Sequence, residues 1–169
     1  LIPKIIHQIW IGDEPPDFIK QHMKNVKKMN KNFEYKFWGN DSIEYFNLEK
    51  EYKEATKYAF FVDILKIKIL EKYGGVIIDA DTECLMSLDD WFNKYKNNKI
   101  SSYYNKDIYP DMGIIIAKPN LDYSIILNDF RPVESCGFYW QRMNPTLIPQ
   151  EEVGLNGSIL KHLNLNSWC

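Results

Sequence analysis

Hydrophobic and polar positions change period several times along the chain, and each change marks an element. From Lys4 to Trp10 the run KIIHQIW is short and β-branched, bounded by Pro3 and by GDEPP, which predicts a strand running into a turn. From Asp17 the period lengthens. Ile19, Met23, Val26 and Met29 recur at helical spacing while Lys20, Lys24, Lys27, Lys28 and Lys31 fill the remaining faces, a helix with a solvated basic side. FEYKFW, from Phe33 to Trp38, alternates again as a strand. The stretch TKYAFFVDILKIKILEKYGG, Thr56 to Gly75, is strongly apolar and ends in a Gly-Gly pair of the kind that closes a helix C-terminus. The strand VIID follows at once. Farther on, Ile100–Tyr104 and Gly113–Ala117 read as strands, and Leu121–Phe130 and Gly157–Leu163 as helices.

This alternation predicts an α/β sandwich with a mostly parallel sheet, and 169 residues at 45% hydrophobic content are the size of one domain, taken as residues 1–169. Lysine and arginine total 21 against 23 acidic residues, a net charge of −2, so no global field recruits nucleic acid or an anionic membrane. Cys84, Cys136 and Cys169 are widely spaced without a CxxC pair, which argues against a disulfide framework or a zinc site and fits a reducing compartment. No apolar run approaches the roughly 20 residues of a membrane span, and the start LIPKIIHQIW lacks the features of a signal peptide. The expectation is a cytoplasmic protein, peripheral to a membrane if its acceptor is made there.

The candidate chemistry begins where the strand VIID ends. In IIDADTE, Asp79, Asp81 and Glu83 occupy every second position. On an extended backbone Asp79 and Asp81 would face one side together, with Ala80 turned away. Two carboxylates so placed call for a cation, and oxygen ligands suit magnesium or manganese with positions left open for phosphate oxygens. The plainer alternative has these acids leaving the sheet for solvent, with Glu83 pairing a lysine. A calcium loop lacks its glycine and its distal glutamate. Haloacid-dehalogenase-type phosphohydrolases also carry an aspartate pair after a strand, which would make Asp79 a nucleophile, yet their threonine or valine position holds Glu83 here and their motif lies nearer the N-terminus.

Other residues stand out by type and place. Asp63 sits within FFVDILK among apolar residues and needs partners, either Lys66 one turn on or a ligand rich in hydroxyls. Trp10 ends the first strand, where an indole either packs in the core or stacks a nucleobase. His7 reads as a hydrogen-bonded structural histidine. The tail KHLNLNSWC gathers His162, Asn164, Asn166, Ser167 and Trp168 after the last predicted helix, as a polar tail or a closure over phosphate.

Together IPKIIHQIWIG, FFVDILKIKILEKYGGVIIDADTE and the closing H…NSW resemble the retaining glycosyltransferases that carry the DxD sugar-binding region, a group related to yeast α-mannosyltransferases, bacterial capsule glycosyltransferases and the glucosylating clostridial toxins. The likeness runs from Ile2 to Trp168. It implies a GT-A type fold, a Rossmann-like mostly parallel sheet flanked by helices, and transfer of a hexose from a nucleotide-sugar, UDP-sugar favoured, with Mn2+ or Mg2+. It implies that Trp10 stacks the base with Ile9 beside it, that Asp63 bonds sugar hydroxyls, and that Asp79 contacts ribose, sugar or a metal-bound water. Asp81 would ligate the metal directly with His162 as a further ligand, and Ser167 and Trp168 would approach the metal and the β-phosphate. Lys66 stands where relatives often have arginine, keeping the charge but not the bidentate geometry. Val62 replaces a small residue and Leu163 a second histidine.

A divalent ion on the diphosphate would stabilise the charge that develops as the anomeric bond breaks. Retention through front-face attack by the acceptor hydroxyl is favoured, with Asp111, Glu151 and Glu152 as the carboxylates for a covalent alternative. The acceptor, a glycan or polysaccharide precursor by resemblance, would meet variable loops such as YYNKDIYPDMG and GFYWQRMNPTLIPQEE. A non-catalytic sugar-nucleotide-binding domain is the third reading.

Overall fold

The computed structural model describes residues 1–104, 110–154 and 156–163. Its core is a six-stranded sheet in the order β2-β1-β3-β6-β5-β7, built from β1 (Ile5–Ile9), β2 (Glu34–Trp38), β3 (Gly75–Ile78), β5 (Ile100–Tyr104), β6 (Pro110–Ala117) and β7 (Thr146–Ile148). Three of its five pairings are parallel, and β6 supplies both antiparallel ones, against β3 and β5. A small second sheet places β9 (Leu160–His162) between β4 (Thr82–Cys84) and β8 (Val153–Gly154).

Alternation along the central strands sends side chains into two cores. Ile77 and Ile115 face one side, where helix α4 (Tyr58–Tyr73) buries Phe61, Leu65, Ile67, Ile69 and Leu70. Val76, Ile78, Ile114 and Ile116 face the other, against Val26 of α1 (Asp17–Met29) and Trp91, Phe92 and Tyr95 of α5 (Asp89–Tyr95). Helix α4 is apolar nearly all round because it is covered by the sheet below and, above, by the segments following α2 (Asp41–Tyr45), α3 (Glu49–Glu54) and α6 (Ser124–Leu127). Its exit is tight. Gly74 (φ 60) and Gly75 (φ 98) turn the chain straight into β3, and a Cβ on Gly74 would lie 2.5 Å from the Pro119 nitrogen, one on Gly75 2.7 Å from the Ile5 carbonyl oxygen.

His7 is fully buried, its Nε2 2.9 Å from the Gly74 carbonyl and its Nδ1 accepting from the Trp38 indole at 3.1 Å. It is the structural histidine expected. Burial lowers its pKa to about 4.

Two expected helices are corrected. Residues Gly157–Leu163 do not form a helix: Leu160 and His162 point inward around the more exposed Lys161, and β9 pairs antiparallel with β4, Thr82 opposite His162 and Cys84 opposite Leu160. A strand of three residues is decided by its partner, which a short apolar window cannot reveal. In Leu121–Phe130 only Ser124–Leu127 is helical, started by an Asp122 carboxylate that accepts from the Ser124 N–H at 2.9 Å. One further short helix, α7 (Gly137–Trp140), packs on β6. No helix among the described residues is long and apolar enough to cross a membrane.

Candidate functional site

Strand β3 stops at Ile78, and Asp79–Asp81 form the turn into β4, with the Asp79 N–H bonded to the Gly113 carbonyl (2.8 Å) and the Thr82 N–H to the Asp79 carbonyl (3.1 Å). The two carboxylates therefore converge through a turn rather than by strand alternation. Ala80 faces away, fully buried with Trp10 and Ile19. His162 comes across from β9, its Nε2 3.2 Å from Asp81 Oδ1 and 3.7 Å from Asp79 Oδ2. One ligand atom from each of Asp79, Asp81 and His162 lies within 4.8 Å of the others. Glu83 stands opposite Lys161 in the β4–β9 ladder, outside this group.

Helix α4 delivers the counter-charge. Lys66 is buried, its ammonium 2.7 Å from Asp79 Oδ1 and 3.7 Å from Asp63 Oδ1. Asp63 Oδ2 accepts the Cys136 N–H at 3.2 Å, so the segment before α7 is tied to the same carboxylate. Burial pushes the Asp63 carboxyl up to about 6, Lys66 and the Cys136 N–H pulling against it. Burial also raises Asp79, again opposed by Lys66 and then His162. For Lys66 and His162 burial acts downward, yet the surrounding carboxylates outweigh it: Asp79 and Asp63 hold Lys66 above its ordinary range, and Asp81, Asp79 and Asp111 raise His162. Three carboxylates outnumber the Lys66 ammonium and the His162 ring in a nearly dry site, an excess of negative charge that complements a divalent cation. Two carboxylate oxygens and one imidazole nitrogen are a donor set that manganese accepts and magnesium tolerates. The residues present fit such an ion.

A cavity of about 460 Å³ is lined by Trp10, Ile11, Asp13, Glu14, Tyr52 and Tyr58 among others, with none of the acid-cluster residues in its wall. Tyr52 and Tyr58 stack with ring planes 7° apart, and Tyr52 packs edge-on against Phe61 of α4. Trp10 is mostly covered, its indole N–H donating to the Asp13 carbonyl at 2.6 Å, and it borders both the cavity and Ala80. The indole thus packs on Ala80, the residue between Asp79 and Asp81, while forming part of the cavity wall.

The segment of residues 2–117 matches the model of the capsular polysaccharide synthesis protein family. The chain belongs to this family. It is 35% identical over 136 residues to an uncharacterized glycosyltransferase of Acanthamoeba polyphaga mimivirus, covering 71% of this chain and 51% of that protein. It is 32% identical over 101 residues to inositol phosphoceramide mannosyltransferase 3 of Schizosaccharomyces pombe, 52% of this chain and 26% of that one. It is 33% identical over 96 residues to a mannosyl phosphorylinositol ceramide synthase of Saccharomyces cerevisiae, 53% and 25%. The chain thus spans about half, or a quarter, of the length of these relatives. Its fold is that of the PaToxG glycosyltransferase, with a TM-score of 0.54 at 16% identity over 75% of this chain and 58% of that one, a GT-A-like arrangement.

Within this family member, Asp63, Lys66, Asp79, Asp81 and His162 are brought together, and Trp10 lies next to them. Ile9 lies in the core on the α4 side, and it is Ile11 that lines the cavity. Ser167 and Trp168 lie outside the described residues. Of the three carboxylates held in reserve, Glu152 is bound to Lys94 and Tyr95, Glu151 lies on the turn leading into β8, and Asp111 alone adjoins the cluster. Tyr52, Tyr58 and Gly113 drew no notice in the sequence. The stacked tyrosines come from two elements, and the place of Gly113 depends on the distant His162.

Proposed function

We propose that this family member is a metal-dependent, retaining glycosyltransferase moving a hexose from a nucleotide-sugar, UDP-sugar favoured, to a glycan or polysaccharide precursor. The observation that carries the reading is the convergence of Asp79, Asp81 and His162, with Lys66 and Asp63 paired behind them and Trp10 linking Ala80 to an aromatic cavity. Relatives named glycosyltransferase or mannosyltransferase support it. Asp81, Asp79 and His162 would hold Mn2+ or Mg2+, which when bound neutralises charge developing on the departing diphosphate.

The remaining roles belong to the protein's own groups. Trp10, Tyr52 and Tyr58 offer apolar surface to the base. Lys66 fixes Asp79 in one orientation through the 2.7 Å contact. Asp63, ionised above its raised pKa of about 6, accepts hydrogen bonds from sugar hydroxyls with the lone pairs that Cys136 leaves over. Burial of these groups excludes water, which favours transfer over hydrolysis. Front-face attack by the acceptor hydroxyl accounts for retention, and a glycosyl adduct trapped on Asp111 would replace it with a covalent route. A phosphohydrolase would need Asp79 free to attack, and its Oδ1 is engaged by Lys66.

The test is a panel of UDP- and GDP-sugars with Mn2+, scored for released nucleoside diphosphate. Metal-dependent release from at least one donor is expected. Silence across the panel with hydrolysis of a phosphomonoester would sink the transferase, and donor binding without turnover would leave only a binding domain.

A further inference from the structure

His162 is buried at 5% exposure, and only one edge of its ring is accounted for. Nε2 faces Asp81 and Asp79, while Nδ1 is buried with no hydrogen-bond partner among the described residues. An orphaned buried ring nitrogen is costly, and native structures rarely keep one without a use. If Nε2 is the ligand atom, the ring proton belongs on Nδ1, which then becomes a donor in need of an acceptor.

One carboxylate waits on that side. A Cβ built on Gly113 would stand 2.9 Å from His162 Nδ1 and 2.8 Å from Asp111 Oδ1, so the two atoms flank the same small space. That space exists because residue 113 has no side chain. The same Cβ would lie 2.5 Å from His162 Cε1, a contact no side chain survives without moving the ring. Asp111 is itself anchored on β6: its Oδ1 accepts the Gly113 N–H and its carbonyl accepts the Ser102 hydroxyl at 2.6 Å. It makes no ion pair among the described residues, which leaves its carboxylate available.

We propose that Asp111 is a positioning residue that takes the Nδ1 proton of His162 in a hydrogen bond, orienting Nε2 toward the cation site, and that Gly113 keeps their meeting place open. Metal-bound histidines are commonly fixed by such a carboxylate, which sets the tautomer and strengthens the ligand. This role rests on the metal reading above. It also gives the one reserve carboxylate near the site a duty other than nucleophile.

The experiment is Mn2+ binding to the full chain without sugar nucleotide, followed by electron paramagnetic resonance of the free ion. Asp111→Ala is expected to weaken binding about tenfold or more, with Asp111→Asn, which keeps an acceptor oxygen but no charge, in between. Gly113→Ala is expected to lose as much as Asp111→Ala. Histidine nitrogen shifts in the Mg2+-loaded protein give the readout that a merely structural role would not move: His162 carries its proton on Nδ1, and the signal shifts in Asp111→Asn. Wild-type affinity in both Asp111 variants, with an unchanged His162 signal in the isosteric Asn form, overturns the proposal. Failure of the wild type to bind Mn2+ or Mg2+ overturns this and the metal-dependent reading together. Weakened binding in the variants with no turnover from any donor overturns the transferase alone.

Discussion

The two ends of the site are built on opposite principles. At the acid end Lys66, Asp81 and His162 are almost sealed from water, Lys66 paired with Asp79 and His162 with Asp81, on a helix, a turn and a strand. At the cavity end Tyr58 is 44% exposed and is held by ring stacking and a side-chain hydrogen bond with Tyr52, without any charge, on the first turn of the same helix. The difference teaches a division of labour. Buried charges are intolerant of change because each loses its partner's compensation, whereas exposed aromatic surface trades affinity in small steps.

That contrast can be broken first at Asp81. Asp81→Asn should reduce Mn2+-stimulated release of nucleoside diphosphate by about 10²-fold or more, while the fold persists in circular dichroism. Equal activity would remove the acid end from the chemistry. Next comes Lys66→Met, which strands Asp79 and Asp63 without their cation and should cost about 3–5 kcal/mol in urea denaturation. Added Mn2+ should return part of this, since an ion bound only by the native state stabilises it.

A smaller effect is expected from pH at His7, which is held by Gly74 and Trp38 at the other end of β3. Its folded pKa near 4 lies below the ordinary 6.5, so the stability its neutral ring provides is complete above pH 6.5 and is lost as pH falls toward 4. Asp63 acts the other way, since its carboxyl, raised to about 6, takes up a proton in the fold before the unfolded chain does. Comparing wild type with His7→Asn cancels Asp63, and their stability gap should shrink by about 2 kcal/mol between pH 7 and pH 4.5. Smallest is Tyr58→Ala, expected to raise the donor KM by about tenfold through lost stacking, with Mn2+ affinity unchanged. A shift in both would mean that the two ends are coupled.

Legibility in the sequence followed locality. Helix α4, its glycine exit and the acid pair after β3 were readable because periodicity, Gly-Gly and paired acids act over a few neighbouring residues, whereas the pattern predicts extended strand where a turn brings the acids together. Asp63 and Lys66 were readable as a pair one turn apart, and the 3.7 Å contact bears that out, although Lys66 sits closer to Asp79. The local pattern predicts a helix where β9 forms, because what makes it a strand is β4, far away in the chain. The expectation that His162 joins Asp79 and Asp81 came from resemblance, while its route there along a strand did not.

By itself the sequence determined the alternation of elements, the apolar helix that fills the core and the identity of the acids that end β3, because each depends on contacts between near neighbours along the backbone. Only the tertiary structure decided which charges meet. Bringing Lys66 to Asp79, His162 to Asp81 and Asp111 to the space over Gly113 requires the sheet order and the β4–β9 pairing, and a hydrogen bond or ion pair is specified to a fraction of an ångström that spacing along a chain does not encode.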